Sequence, residues 1–281
     1  MNLVRKNSGQ AILTVLLIMV VGLTVSLAVV ARSVTSVKIS TQEEESQRAF
    51  SAAEAGLEEA LLSGAASSGI LGNASYTVII PTGVTSGKFI FPEIIKQDDT
   101  QALWLVGHDG SDNIIAPGPG DQRYPIGQPV DICWESPGAG DEPAMEIIIL
   151  HQRTIGANEY KVARGAYDPD GRSNNFSGVT SSGGSECGDF NYRQRIVFSD
   201  FFNTNNQRVV AVRLRPIYNG ARVAACQSGC PAAGNIPPQG KEIESTGAVG
   251  TTQRKVKIFK SYPTLPAIFD FALFSGQSLT K

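Results

Sequence analysis

One uninterrupted apolar run near the N-terminus constrains this chain more than any other feature. Residues 11–31 read AILTVLLIMVVGLTVSLAVVA, with no charged residue and no proline. As a helix at about 1.5 Å per residue, the run is about 32 Å long, which is enough to cross the hydrocarbon core of a bilayer. The leader before it, MNLVRKNSG, contains Arg5 and Lys6 and no acid. This charge bias predicts a single-pass membrane protein with a cytoplasmic N-terminus.

Three kinds of N-terminal segment share such a run. An ordinary secretory signal has an apolar core of about 7–15 residues and a small-x-small cleavage site. A signal anchor keeps its helix in the membrane. In the third kind the helix continues beyond the membrane, and the sequence favours this one. The run passes into ARSVTSVKIS without a break, no proline occurs before Pro81, and Gly56 is the one glycine between Arg32 and Leu62.

The helix is therefore predicted to cover residues 10–62, with an apolar first half and an amphipathic second half. In the second half, apolar residues follow the i, i+3, i+4 spacing of one helical face, and most charged residues fall elsewhere. Ser63 and Gly64 supply a stop signal. We expect this face to lie against a globular domain. Its members are Phe50, Ala53, Leu57, Ala60 and Leu61.

Three features follow one another here: a short basic leader ending in Gly9, the apolar helix, and the run QRAFSAAEAGLEEAL at residues 47–61. Together they resemble the N-terminal region of PilX-type minor pilins, members of the type IV filament family that includes the pseudopilins of type II secretion. The resemblance covers residues 1–62. It implies that a prepilin peptidase cleaves between Gly9 and Gln10, that Gln10 is N-methylated, and that the helix is retained.

The resemblance also implies the partners of this chain: other pilin subunits bound through the N-terminal helix, the prepilin peptidase and the lipid bilayer. One position departs from the family. Major pilins usually carry a glutamate five residues into the mature chain, where it is thought to pair with the N-terminal amine of a neighbouring subunit. Counting from Gln10, that position is Thr14. The absence of this carboxylate resembles minor members that are placed at or near a filament tip.

Two functions follow as expectations. The first is a minor or tip pilin-like subunit of a type IV filament or a related secretion machine, displayed on a cell-surface filament. The alternative is a signal-anchored surface protein or adhesin that does not polymerise.

After Leu62 the pattern changes to short runs rich in Val, Ile, Phe and Tyr, separated by turn-rich segments such as 218–239. We predict an α+β fold: a long N-terminal helix, membrane-spanning in its first half, packed on a large antiparallel β-rich domain. That domain covers residues 63–281 outside the cytoplasm, and a split near 107–129 into two subdomains stays open. The predicted strands are 76–80, 88–91, 103–106, 130–134, 145–150, 160–163, 195–198, 209–214, 241–244 and 255–259.

The C-terminal region contains two further features. EIESTGAVGTTQRKVKIFKS predicts a closing hairpin with residues 247–252 as its turn. The last segment, SYPTLPAIFDFALFSGQSLTK, is unusually apolar for a tail. It either docks as a final strand or forms a contact surface for another subunit, because its apolar side chains need a cover. Those side chains are Ile268, Phe269, Phe271, Leu273 and Phe274.

Four cysteines follow the membrane segment: Cys133, Cys187, Cys226 and Cys230. An even number of cysteines in an oxidising space favours disulfides. Three connectivities are possible, and the simplest joins Cys226 to Cys230 and Cys133 to Cys187. An all-thiolate zinc site and unpaired thiols are the alternatives.

Composition and motifs argue against several functions. With 24 Lys and Arg against 26 Asp and Glu, the chain lacks the basic surface that a nucleic-acid partner requires. It contains no Gly-x-Ser-x-Gly, Walker or HExxH motif, and neither His108 nor His151 accompanies a placed nucleophile. The oxygen-rich loops 109–113 and 168–174 do not fit the EF-hand register and are interpreted as turns. We expect no enzymatic activity, catalytic residue, metal or cofactor.

Overall fold

A computed structural model describes residues 8–83, 85–118, 121–156, 159–182, 188 and 190–270, with 8–11, 181–182 and 269–270 given by their backbone alone. The first element is one continuous helix, α1 (Ser8–Ser63), which confirms the long helix predicted over 10–62. The strands that follow are β1 (Ser68–Leu71), β2 (Ala74–Ile79), β3 (Lys88–Ile90), β4 (Gln101–Trp104), β5 (Val130–Glu135), β6 (Ala144–Gln152), β7 (Tyr160–Tyr167), β8 (Ser181–Ser182), β9 (Tyr192–Ile196), β10 (Arg208–Ile217), β11 (Arg222–Gln227), β12 (Gly240–Val249) and β13 (Thr252–Ser261).

These strands form three antiparallel sheets in the described part of the chain, and the α+β class is confirmed. Their strand orders are β1-β2-β12-β13, β4-β10-β6-β7 and β3-β11-β5-β9-β8. The chain divides into two compact units. The first contains α1, the strands up to Ile80 and Ile243–Ile258; the second contains Pro81–Glu242 and the residues from Phe259 onward. The division does not fall at 107–129.

In the first unit, the second half of α1 packs on its sheet through small residues. Ala49, Ala52, Ala53 and Ala60 are all 0% exposed, and Gly56 is buried among them. These short side chains let the helix approach the sheet closely. Five residues were predicted to form this face. The prediction is confirmed for Ala53 and Ala60, which are buried, and Leu57 is half-buried.

The prediction was wrong for Phe50 and Leu61, whose side chains are 45% and 38% exposed. A large side chain in the contact would hold helix and sheet apart, whereas alanine and glycine let the two backbones approach. The alanine side of the helix is therefore the buried one.

The closing hairpin exists, but its turn is shorter than predicted. β12 continues through Val249 and β13 begins at Thr252, so the turn lies at Gly250, whose φ is +55°. Gly247 lies within β12 and not in the turn. A Cβ atom on Gly247 would stand 1.9 Å from the Ala49 carbonyl oxygen, so this glycine permits the close contact with α1.

The second unit has a core between its two sheets. β6 lies inside its sheet, between β10 and β7. The predicted strand runs overlap observed strands, but β11 lies in 218–239, which was predicted to be turns. β11 runs between β3 and β5. The large core side chains include Leu103, Ile132, Trp134, Met145, Ile147, Ile149, Ile196, Val212 and Leu214.

Candidate membrane-spanning and processing site

The predicted processing residues, Gly9 and Gln10, lie in the first turn of α1. The structure describes their backbone only, which is helical. Cleavage between them and methylation of Gln10 stay predictions.

The apolar first half of α1 exposes its side chains on all sides. Every large apolar side chain from Ile12 to Val30 is at least 54% exposed, and Leu13 and Met19 reach 71%. The helix is long enough and apolar enough to cross a membrane. A soluble domain rarely exposes an apolar surface of this extent. This surface requires a cover of lipid or other apolar helices.

Polar side chains inside this surface are satisfied by the helix itself. Thr24 Oγ1 donates to the Val21 carbonyl at 2.8 Å, and Ser26 Oγ donates to the Gly22 carbonyl at 2.8 Å. Each hydroxyl can therefore enter an apolar environment without an unpaired hydrogen-bonding group.

One shallow groove interrupts the apolar surface. The groove is lined by the small residues Gly22 and Ser26 and by Met19, Leu23, Leu27 and Val30. A Cβ atom on Gly22 would have nothing within 4 Å, so this stretch of helix backbone is open. Small residues spaced by four allow the backbones of membrane helices to approach closely. Sequence reasoning missed this pair, although its spacing is visible in the sequence.

The exposed apolar surface also extends past Ala31. Val34, Val37 and Ile39 are 58%, 64% and 51% exposed. Val34 and Val37 line a groove that Thr251 and Thr252, at the start of β13, also line. At about 1.5 Å per residue, the surface extends about 12 Å beyond the run 11–31. Sequence reasoning missed this extension, because Arg32 and Lys38 interrupt the apolar run.

A disulfide joins Cys226 to Cys230, with 4.8 Å between their Cα atoms. This confirms the short pair predicted from the sequence, and it leaves neither sulfur as a thiolate for zinc. Cys133 is also disulfide-bonded. Cys187 lies outside the described residues, so the predicted Cys133–Cys187 pair stays a prediction. Cys133 and Cys226 are both fully buried beside Phe190.

Both histidines are packed against aromatic rings. His151 is 4% exposed, stacks on Phe202 with ring centroids 3.8 Å apart, and places Nδ1 2.7 Å from the Gln207 side-chain oxygen. His108 stacks on Tyr262 at 3.9 Å. Burial lowers the pKa of both imidazoles below the ordinary value. Their surroundings are those of structural residues.

In each oxygen-rich loop, the first aspartate accepts hydrogen bonds from other residues of the same loop. Asp168 is 2% exposed and accepts hydrogen bonds from the Asp170 amide, from Arg172 and from Asn174. Asp109 accepts the backbone amides of residues 111 and 113 at 2.8 and 2.9 Å. Both loops are turns stabilised by an aspartate. Within the described residues, no group of three or more His, Cys, Asp or Glu could hold a metal ion.

The apolar C-terminal segment is described only as far as residue 270. Residues 267–270 form a short 3-10 turn, and Ile268 is 73% exposed. The Phe269 side chain, Phe271, Leu273 and Phe274 lie outside the described part. Within the described residues, the Ile268 side chain therefore lacks the cover that the sequence led us to expect.

Comparison with models of protein families, with curated proteins and with solved structures finds no match for this chain.

Proposed function

We propose that this chain is a minor or tip pilin-like subunit of a type IV filament or a related secretion machine. The observation that carries the proposal is the continuity of α1 from Ser8 to Ser63. Residues 12–31 expose a surface without a charged side chain, and the second half of the helix packs on an antiparallel sheet with the two backbones close together. A single element thus combines a membrane anchor with a firm attachment to folded structure.

The attachment to the sheet also includes polar contacts. Thr252 Oγ1 donates to Glu45 Oε2 at 2.9 Å, and Arg254 Nε donates to Ser46 Oγ at 2.7 Å. Tyr76 donates to Glu59 from the centre of the sheet. These contacts follow the helix over several turns. Force or displacement applied to the apolar half would therefore reach the sheet through many bonds at once.

In the proposed mechanism, a prepilin peptidase removes residues 1–9, and the helix then moves from the bilayer into a bundle of like helices. Lipid tails and apolar side chains are similar environments, so the transfer needs no large hydrophobic gain or loss. The exposed residues Val34, Val37 and Ile39 extend the surface available for contact with neighbouring subunits. Removing Arg5 and Lys6 makes the mature subunit more acidic.

The N-terminus of the native protein tests this proposal. Intact mass and N-terminal peptide analysis of protein from membranes is expected to find a chain starting at N-methylated Gln10. A Gly9→Val variant is expected to keep its leader, because the family peptidase acts after that glycine, while the matched Ser8→Ala variant is expected to be processed. A native chain that starts at Met1, or that starts after Ala31, would contradict the proposal.

Position 14 tests the assignment to a minor or tip subunit. A Thr14→Glu variant would supply the carboxylate that major pilins present to a neighbouring amine. We expect more copies per filament than in the wild type, measured by quantitative immunoblotting of sheared filaments. Thr14→Gln, which has the same shape without the charge, is the control. Equal incorporation of all three chains would argue against this role.

The second candidate is a signal-anchored surface protein that stays in the bilayer. One observation favours it: residues 11–31 contain no carboxylate for a charge pair between subunits. An intact leader on the native protein, together with its absence from sheared filaments, would establish this candidate in place of the first.

A further inference from the structure

Two triplets of the form Asn-x-Ser occur in the sequence, one at residues 73–75 and one at residues 175–177. Asn-x-Ser or Asn-x-Thr, with x other than proline, is the acceptor sequence for N-linked glycans in exported domains. A glycan is bulky and must fit the folded protein. The surroundings of each asparagine therefore decide whether its triplet can carry one.

The loop between β7 and β8 holds the residues on both sides of Asn175 in place. The Asp168 carboxylate is buried and accepts hydrogen bonds from Arg172 Nη1 at 2.8 Å and from Asn174 Nδ2 at 2.6 Å. Asn174 Oδ1 accepts the backbone amide of Phe176 at 2.9 Å. Asn174 is therefore a structural residue, and the loop supports Asn175 from both of its neighbours.

Asn175 itself does not join this network. It is exposed, and its φ of +59° lies in the left-handed region that asparagine adopts more readily than most residues. Within the described residues, no hydrogen bond involves its side-chain amide. Ser177 is also exposed, and its backbone amide and carbonyl bond to Ala166 and Asp168. Both polar side chains of the triplet therefore lie at the surface.

The other triplet is more closely tied to its surroundings. Asn73 Oδ1 accepts a hydrogen bond from Arg48 Nη1 of α1 at 3.5 Å, and Ala74 is 2% exposed. Ser75 lies in β2, which is paired with a strand on each side. Of the two asparagines, Asn175 is the one that can take a bulky group without losing a contact described for its side chain.

We propose that Asn175 is an N-glycosylation site, which receives a saccharide from a lipid-linked donor, a polyprenyl pyrophosphate sugar. In the transfer, Asn175 Nδ2 attacks the anomeric carbon of the sugar. A nitrogen–carbon bond forms, and the bond between that carbon and the pyrophosphate oxygen breaks. The pyrophosphate leaves with the electron pair, and the amide loses a proton to a base of the transferase. This inference rests on the extracytoplasmic position of the domain, which is part of the proposed function.

Peptide mass spectrometry of the full chain from native membranes tests the site. After reduction and alkylation, trypsin releases residues 173–193, which contain Asn175, and residues 196–208, which contain Asn206. Asn206 is the internal control: it is exposed with a φ of +52°, but the residue two positions later is Arg208. We expect a mass increase of whole sugar residues on Asn175, located by electron-transfer fragmentation, and none on residues 196–208.

Four variants extend this test. Asn175→Gln and Ser177→Ala are each expected to lose the sugar completely, because the first removes the acceptor amide and the second removes the hydroxyl of the triplet. Ser177→Thr keeps a hydroxyl and is expected to keep the sugar. Asn206→Gln is the matched control and is expected to be modified like the wild type.

Three results would overturn the site: an unmodified Asn175 in the native protein, sugar on residues 173–193 of Asn175→Gln, or sugar retained by Ser177→Ala. The N-terminus of the same sample separates this inference from the proposed function. A chain that starts at Gln10 and carries no sugar would overturn the glycan alone. A glycosylated chain that keeps its leader would overturn the filament role alone.

Discussion

At the scale of single residues, Gly247 is the position where the contact between helix and sheet is least tolerant of change. A Gly247→Ala substitution would place a Cβ atom 1.9 Å from the Ala49 carbonyl oxygen and 2.7 Å from the Ala53 amide nitrogen. Because neither backbone atom can move without shifting α1, we expect a loss of about 1–3 kcal/mol in the free energy of unfolding. Denaturant titration of the full chain in detergent measures it.

Gly127→Ala is the matched control, since a Cβ atom there would meet nothing within 4 Å. Its free energy of unfolding is expected to stay within about 0.5 kcal/mol of the wild type. If Gly247→Ala were as stable as this control, the close packing of β12 on α1 would be wrong.

His151 gives a pH dependence whose sign follows from its burial. The folded protein lowers the pKa of this imidazole below its ordinary value of 6.5, chiefly through burial. Below about pH 6.5 the unfolded chain therefore binds more protons at this site than the folded chain, and stability falls as the solution is acidified. The stabilising effect of the neutral ring is fully present above about pH 6.5.

A His151→Gln variant removes this titration. Thermal unfolding of the wild type and the variant between pH 7.5 and 5 is expected to show a shallower loss of stability in the variant. His108 remains in both proteins and accounts for part of the residual slope, since burial lowers its pKa too. Parallel curves for the two proteins would contradict the assignment.

At the scale of elements, the sequence predicted what depends on long or strongly alternating patterns. α1 and β6 follow from their apolar runs and from the lack of proline. β11 does not, because Ala224 and Ala225 have little strand preference of their own, yet both are fully buried between β3 and β5. Its strand state comes from its neighbours in the sheet, which a local pattern cannot show.

The candidate site was predictable to a similar degree. The apolar run identified the half of α1 that is long and apolar enough to cross a membrane. Periodicity, however, assigned Phe50 and Leu61 to the wrong side of the second half. The periodicity argument places large apolar residues on the buried face. The contact instead contains the small residues Ala49, Ala52 and Gly56, because they let the helix and sheet backbones approach closely. The exposed extension at Val34 and Val37 depends on where the sheet ends along the helix, which the sequence does not reveal.

The groove at Gly22 gives a prediction for the apolar half of α1. In a Gly22→Ile variant, the side chain would fill the groove and keep neighbouring helices apart, so we expect about fivefold less incorporation into filaments, a change of about 1 kcal/mol. Gly22→Ala keeps a small residue and is the control. Quantification in sheared filaments and in membranes measures both pools. Unchanged incorporation of Gly22→Ile would remove this groove from the assembly surface.

At the scale of the whole molecule, the apolar helix should determine where the protein is found. The wild-type chain is expected to stay in the membrane pellet after an alkaline carbonate wash. Replacing Leu16, Met19 and Leu23 by lysine is expected to release it, because each lysine near a bilayer centre costs about 2.5–3.5 kcal/mol. Immunoblotting of pellet and supernatant measures the distribution.

Ile70→Lys is the control for that experiment, because Ile70 lies in β1, outside the apolar run, and is already 78% exposed. It is expected to behave as the wild type. Release of the wild-type chain by the carbonate wash would contradict a membrane-spanning α1.

The pairing of β2 with β12 has a consequence during synthesis. α1 and β2 leave the ribosome early, yet the strands that complete their sheet are encoded about 160 residues later. At about 5–20 residues per second, roughly 8–30 s pass before Ile243 is translated. During that interval, β12 is not yet present to pack against the buried alanine face of the helix (Ala49, Ala52, Ala53 and Ala60). A nonsense mutation even late in the reading frame, ahead of Ile243, would leave α1 and β2 without the strands that complete their sheet, and we expect such a product to be degraded by proteases.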